Sequence, residues 1–266
     1  GLKIDSDIIA LSGAVSLRNF GDPKTGFFKK PVSFDASLKP LTLDIGPRFP
    51  KALELSSAAV KGTYDSQNTR LTLADMKADF GTYSGEFNGD IGFGQDSNIL
   101  KDISLNGSVR GNIMPQTVLN FWPEDFALGA RSWIERSLLS ADITQIDIDL
   151  SFDDQNFESG LLDNEDLRVS FNYFNADVKY ISTMTPLEGA SGYAVMEGNR
   201  FELTASEGRI GPTINLTSAR VDIPRLNPKG GDLNIEFAAS GPAADLLALV
   251  DEDPFMFLSK ANLDPR

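Results

Sequence analysis

Carboxylates are the reactive groups this chain carries in quantity, and their densest run is Asp153-Asp154-Gln155-Asn156-Phe157-Glu158-Ser159-Gly160. Oxygen ligands at alternate positions suggest calcium. The helix–loop–helix calcium loop, however, needs a glycine directly after its third ligand and a glutamate further on. Gly160 falls one place late after Asp154, Asn156 and Glu158, so the run reads as a solvated loop. Asp251-Glu252-Asp253 reads as a solvated helix end. Paired carboxylates can hydrolyse glycosides, but among 38 acidic residues spacing singles out no pair. Gly92-x-Gly94 and Gly81 lack the strand-to-helix context of a phosphate loop and read as turns or bulges. The sequence contains no histidine and no cysteine. That removes the commonest general base, the usual serine-triad base, the thiolate nucleophile and the commonest transition-metal ligands. The expectation is a protein that is not an enzyme and uses no cofactor and no metal.

Charge narrows the partners. The 266 residues carry a formal charge of −14, which disfavours nucleic acid and simple adhesion to anionic headgroups, since both need clustered Lys and Arg. No run approaches the 18 or so apolar residues that span a bilayer. The chain opens at Gly1 inside a strand-like pattern (Leu2, Ile4, Ile8, Val15, Leu17), which predicts a segment of something longer.

The elements that could position any site are strands. Ile146-Asp147-Ile148-Asp149-Leu150-Ser151-Phe152-Asp153 alternates strictly, placing four apolar groups on one face and the polar ones on the other. The same alternation recurs at Leu71/Leu73, Ile91/Phe93, Ile103/Leu105, Phe171/Tyr173, Phe201/Leu203, Ile214/Leu216, Val221/Ile223 and Leu233/Ile235/Phe237. Turn chemistry punctuates it at Asn106-Gly107, Glu197-Gly198-Asn199, Glu207-Gly208, Gly211-Pro212 and Pro228-Lys229-Gly230-Gly231. Short, closely spaced strands without intervening helices predict an antiparallel meander. The pattern also repeats. An offset of 130 superposes Gly62 on Gly192, Arg70 on Arg200, Leu73 on Leu203, Gly81 on Gly211, Ile91 on Val221, Asp102 on Asp232, Leu105 on Ile235 and Gly111 on Gly241. Two similar units are expected, at about 32–141 and 162–260, within one continuous domain over 1–266.

The meander is interrupted at 121–138, which holds both tryptophans. Pro123 suits a helix start, and Phe126, Ala130, Trp133, Ile134 and Leu138 form one apolar stripe, with Arg131 and Arg136 toward the C-terminal end. A second helix is predicted near 242–250. These helices are too few to cover every apolar strand face. The sheet must therefore close on itself as a sandwich or curl into a trough lined for something else.

Trp122-Pro123, a short spacer, Ala130-Arg131-Ser132-Trp133-Ile134 and the following strands resemble the central segment of the YhdP-type, AsmA-like (TamB-related) proteins of the Gram-negative envelope. So does the helical Gly241-Pro242-Ala243-Ala244-Asp245-Leu246-Leu247-Ala248-Leu249-Val250 followed by Asp253-Pro254-Phe255. The resemblance covers most of 60–266, and residues 1–60 carry no matching motif. It implies an all-β fold, an extended antiparallel sheet curled into an open groove (a β-taco) with short helices. It also implies that the chain carries phospholipid or another acyl lipid between the membranes, in the periplasm. The parent would be anchored in the inner membrane and would meet inner- and outer-membrane proteins through its other parts. The groove would be lined by Leu71, Leu73, Ile91, Phe93, Ile146, Ile148, Leu150, Phe152, Phe171, Tyr173, Phe201, Leu203, Ile214 and Leu216. Phe121, Trp122, Trp133 and Ile134 would cap or partition it. The rival is an envelope scaffold whose β core is filled by its own side chains; a carbohydrate-active enzyme comes third.

Overall fold

The computed structural model describes residues 2–5, 9–18, 31–43, 51–94, 100–122, 124, 128–226 and 233–263. The strands are β1 (Leu2–Asp5), β2 (Ile9–Arg18), β3 (Val32–Leu43), β4 (Leu53–Leu55), β5 (Ser57–Asp65), β6 (Arg70–Asp79), β7 (Tyr83–Phe93), β8 (Leu100–Ile113), β9 (Leu138–Phe152), β10 (Leu167–Val178), β11 (Leu187–Glu197), β12 (Arg200–Ile210), β13 (Ile214–Ile223) and β14 (Asn234–Ser240). Five short helices accompany them: α1 (Pro115–Asn120), α2 (Leu128–Ser137), α3 (Asp154–Ser159), α4 (Ala243–Val250) and α5 (Phe257–Lys260). All described strands belong to one antiparallel sheet whose order follows the sequence, with β4 paired to β3 off the main path. Its end strands β1 and β14 do not pair, so it is not closed into a barrel. The fold is all-β with a few short helices, as the alternation predicts. No described helix is long and apolar enough to cross a membrane.

Contacts divide the chain into two compact units, Gly1–Asn112 with Gln145–Val169, and Ile113–Thr144 with Ser170–Arg266. The element bounds recur at an offset of 130 or 131 residues: β5, β6 and β7 start at 57, 70 and 83, and β11, β12 and β13 at 187, 200 and 214. Helix α1 follows β8 as α4 follows β14. Register shifts interrupt the ladders between Lys61 and Gly62, between Leu73 and Met76, and between Gly92 and Phe93 in the first unit. The second unit has them around Ser191 and between Leu216 and Ser218. Each extra residue bends and twists its strand, so the sheet within each unit is curled rather than flat.

Several local expectations are corrected. Asn106-Gly107 and Glu207-Gly208 are not turns but lie inside β8 and β12. Their glycines serve close approach: a Cβ on Gly107 would sit 2.4 Å from the Phe87 ring, and one on Gly208 2.6 Å from Leu187. Glu197-Gly198-Asn199 is a turn, with Glu197 paired to Arg200 and Gly198 at φ 51°, a value glycine adopts without steric cost. The 121–138 interruption holds one described helix, α2, and a second, α1, lies just before it. The proline at a helix start is Pro115 of α1, and Leu138 begins β9 instead of closing a helical stripe. Ser140-Ala141-Asp142 continue that strand. Pro123, Phe126, Asp232 and the Pro228–Gly231 turn lie outside the described residues.

The acidic run is also more ordered than a loop. Asp153 caps α3, its carboxylate accepting from the Gln155 and Asn156 amides while the Asn156 side-chain oxygen accepts from the Asp153 amide, and Gly160 closes the helix at φ 65°. That is a reciprocal capping box, and the carboxylate is committed to it. Asp251 and Glu252 bind neighbouring chain as well. Asp251 accepts from the Leu258 and Ser259 amides and the Ser259 hydroxyl, and Glu252 from the amide and hydroxyl of Thr185. Hydrogen bonding to the Ser259 side chain, then to its amide, holds Asp251 below the usual carboxylate range.

Candidate functional site

Each unit presents one apolar and one charged face. In the first, registered neighbours build rows across the strands: Val32, Tyr64, Leu71, Ile91 and Ile103 in one, Ala36, Val60, Met76, Phe87 and Gly107 in another. A row between them runs Phe34, Gly62, Leu73, Gly89 and Leu105. Because successive side chains alternate between faces, a run of apolar pairs in one register makes a continuous apolar wall. The other face carries Arg70–Asp102 at 2.7 Å, Lys77–Glu86 at 3.1 Å and Lys61–Asp35 at 3.9 Å.

Large side chains on the apolar wall lie over glycines. A Cβ on Gly62 would come 2.8 Å from the Phe34 ring, and one on Gly85 2.4 Å from the Phe87 ring. The aromatic rings thus cover backbone that has no side chain of its own to shield it. On β9, Ile146 is buried, Ile148, Leu150 and Phe152 are half-buried, and Asp147, Asp149 and Ser151 are exposed. The predicted alternation is therefore the observed one. Phe152 meets Phe157 of α3 edge to face, with centroids 6.1 Å apart.

The second unit repeats the plan. Ala194, Leu203, Val221 and Ile235 form one registered row, and Met196, Phe201 and Ile223 another. Opposite them Arg200 meets Asp222 at 2.9 Å and Glu202 at 3.0 Å, and Arg220 shares Glu202 at 2.9 Å. Tyr173 crosses Gly192 to donate its hydroxyl to the Thr204 carbonyl at 2.8 Å. A Cβ on Gly192 would stand 1.9 Å from that same oxygen and 2.6 Å from the phenol oxygen. Burial pushes the Tyr173 phenol up to about 12.

The candidate residues divide by environment. Leu71, Ile91, Phe93, Ile148, Leu150, Phe152, Phe171, Phe201 and Leu203 are half-buried on their faces. Leu73, Ile146, Tyr173, Ile214 and Leu216 are buried. Ile214 belongs to a packed cluster with Met184, Ile210 and Leu249 of α4, which covers one end of the wall. Among the described residues the large side chains withdrawn completely from solvent are Ile113 and Ile143, while alanines such as Ala58, Ala78, Ala190 and Ala194 fill much of the buried set. Of the proposed cap, Phe121 is exposed and Trp122, Trp133 and Ile134 are half-buried. What fixes them is Arg131, which donates to the Leu119 and Trp122 carbonyls at 2.8 and 2.9 Å and so satisfies the end of α1 rather than of its own helix.

Sequence reasoning left β3 out of the wall, although Val32, Phe34, Ala36 and Leu38 alternate legibly, and it left out Val60, Met76 and Phe87. A shallow hollow of about 350 Å³ opens near Asn172, Phe174, Tyr193 and Ser206. Its Ser206 and Thr204 hydroxyls are already bonded to the Ser191 and Tyr193 carbonyls. Among the described residues no group of acidic side chains is placed to hold a metal ion. Comparison with family models, curated proteins and solved structures returns no match.

Proposed function

We propose that the apolar wall in each unit shields the acyl chains of a phospholipid or similar lipid. On this reading the chain is a segment of a YhdP-type, AsmA-like lipid carrier working in the Gram-negative periplasm. The observation that supports it most is the half-burial of large side chains in register. Phe34, Leu71, Ile91, Ile103, Leu203 and Val221 pack against strand neighbours yet keep part of their surface open. In a two-layer sandwich such residues are interdigitated and lose nearly all exposure.

The energetics suit transport. A methylene withdrawn from water gains about 0.8 kcal/mol, so a 16-carbon chain leaving a bilayer unaided climbs roughly 12 kcal/mol. A wall of Ile, Leu, Val and Phe returns most of that without a tight pocket that would hold the cargo. No catalytic side chain is required. The scaffold reading draws on the cluster of Ile210, Ile214, Met184 and Leu249, a self-filled patch at one end of the second unit.

Mass spectrometry of a solvent extract of the purified protein separates the two. Lipid in near-stoichiometric amount is the expected result, and a lipid-free protein that stays folded counts for the scaffold.

A further inference from the structure

The charged face of the second unit gives way, over β10 to β12, to a patch that carries no charge. The hollow of about 350 Å³ opens there, lined by the side chains of Asn172, Phe174, Ser191, Tyr193, Thr204 and Ser206. Thr204 faces Tyr193 in register and follows Arg200 and Glu202 at two-residue steps along β12. The hollow therefore lies on the ion-paired side of the sheet and away from the Ala194/Leu203 row. A lone exposed aromatic is ordinary on a surface. Phe174, 45 % exposed, is not alone, because Tyr193 lines the same hollow.

The repeat shows that the fold does not require this patch. At the 130-residue offset Ser191 and Tyr193 stand where the first unit has Lys61 and Thr63. Both units shift register at this point, between Lys61 and Gly62 and between Ser191 and Gly192. The backbone device is shared, and the side chains on it differ. In the first unit Lys61 is paired with Asp35 of the neighbouring β3 at 3.9 Å, and Thr63 faces Thr72. In the second unit the neighbouring β10 supplies Asn172 and Phe174 instead.

We propose that this hollow binds one pyranose ring of a neutral saccharide. A sugar ring offers a face of C–H groups and an equator of hydroxyls, and the lining answers both. Phe174 and Tyr193 supply the aromatic surface, whose electron-rich face suits C–H groups. The Ser206 and Thr204 hydroxyls donate to the Ser191 and Tyr193 carbonyls, so their lone pairs remain to accept from a ligand hydroxyl. The exposed Asn172 carboxamide makes no bond to a described residue and offers both donors and an acceptor. No acid or base lines the hollow, so neither a phosphate nor a cation finds a partner there. The same lack of a carboxylate pair makes this a binding site and not a hydrolytic one. Its volume is at the lower end of the roughly 300–1,000 Å³ typical of ligand sites, and its openness to solvent implies millimolar affinity. The proposal is independent of lipid binding, which concerns the opposite face.

The probes are cellobiose, maltose and diacetylchitobiose, titrated into the full chain and followed by the NMR shifts of the backbone amides. Decaproline is titrated alongside, because aromatic hollows also accept proline-rich peptide. The expected result is that at least one disaccharide shifts the Phe174 and Tyr193 amides and saturates in the millimolar range. Phe174→Ala should weaken it about tenfold or more, Phe174→Tyr should retain it, and Asn172→Ala should weaken it severalfold. Both positions are exposed, so circular dichroism should be unaltered in each variant, and Leu161→Ala on a remote exposed site should bind as the parent does. Absence of binding by all three sugars at tens of millimolar overturns the proposal. So does sugar binding that survives Phe174→Ala, which would place the ligand elsewhere. Decaproline shifting these amides where the sugars do not also overturns it, because the site would then be a peptide groove.

Discussion

Ile148→Asp tests whether the wall is open. Ile148 is half-buried on β9, between exposed Asp147 and Asp149. Losing half of an isoleucine's transfer free energy costs about 1 kcal/mol, and a carboxylate that still reaches water adds about 1 more. A loss of roughly 2 kcal/mol lowers the melting temperature of a chain this size by about 4–8 °C and leaves it folded. Ile214→Asp is the calibrating variant. Ile214 is 5 % exposed and packed against α4, so it forfeits about 3 kcal/mol of burial and strands a charge at several kcal/mol more. That sum rivals the 5–15 kcal/mol that holds a typical domain together. Melting followed by circular dichroism, with lipid extraction from each variant, reads both quantities. Ile148→Asp should melt cooperatively near the parent and carry at least tenfold less lipid, and Asp149→Ser should match the parent in both. If Ile148→Asp collapses as Ile214→Asp does, β9 lies in a filled core and the open-wall reasoning is wrong.

Tyr173→Phe removes the hydroxyl that meets the Thr204 carbonyl. It should cost about 1 kcal/mol, seen as a melting point lower by some 2–4 °C; no change would mean that water replaces the bond freely. Burial pushes Tyr173 to about 12, and burial followed by the nearby Glu252 pushes Tyr180 to about 12, from 10.0. A raised phenol pKa favours the neutral form in the folded state, so that stabilisation is whole below pH 10 and lost as pH rises toward 12. Ultraviolet titration of the five tyrosines should show at least two ionising late, and all five titrating together near 10 in folded protein would contradict the burial. Asp251 runs the other way: its depressed pKa makes its contribution present above about 3.8 and lost as pH falls through the lower folded value. The Ser259 amide, followed by NMR, should stay protected at pH 4.5 and loosen only below, and release already at pH 5.5 would refute the assignment.

Alternation made the strands legible, because a one-residue slip would turn every apolar group toward water. That is why Ile146 to Phe152 and Phe201/Leu203 could be placed on a face from sequence. Glycine was misread wherever its role was packing. Asn106-Gly107 carries the strongest short turn signal, yet Gly107 is bare because the Glu86 carbonyl and the Phe87 ring stand 2.3 and 2.4 Å from where a Cβ would sit, a demand made by the neighbouring strand some twenty positions earlier. The Asp153 helix escaped notice because α3 has six residues, shorter than any hydrophobic period can mark. The capping box itself was visible in Asp153 and Asn156. Arg131 was assigned to its own helix dipole by proximity in sequence, whereas the carbonyls it satisfies are Leu119 of α1 and Trp122 just beyond it.

The two units also reveal which features the repeat holds fixed. Arg70 and Arg200 are equivalent, but their acids are not. In the first unit Asp102 reaches from β8 across Gly92, whose missing side chain leaves room, a Cβ there falling 2.3 Å from the carboxylate. In the second, Asp222 stands opposite Glu202, as Asp90 stands opposite Thr72, and reaches Arg200 diagonally from the adjacent strand at 2.9 Å. The acid has moved by one strand, about 4.8 Å. Exposed pairs of this kind contribute at most about 1 kcal/mol, so either arrangement serves to keep the outer face charged and wet. The opposite face has no such latitude. Leu73 and Leu203, Ile91 and Val221, and Leu105 and Ile235 keep both apolar character and phase, although strand registers and bulges differ between the units. A wall that meets fluid hydrocarbon needs only to stay apolar and in phase, which is the property the two units share.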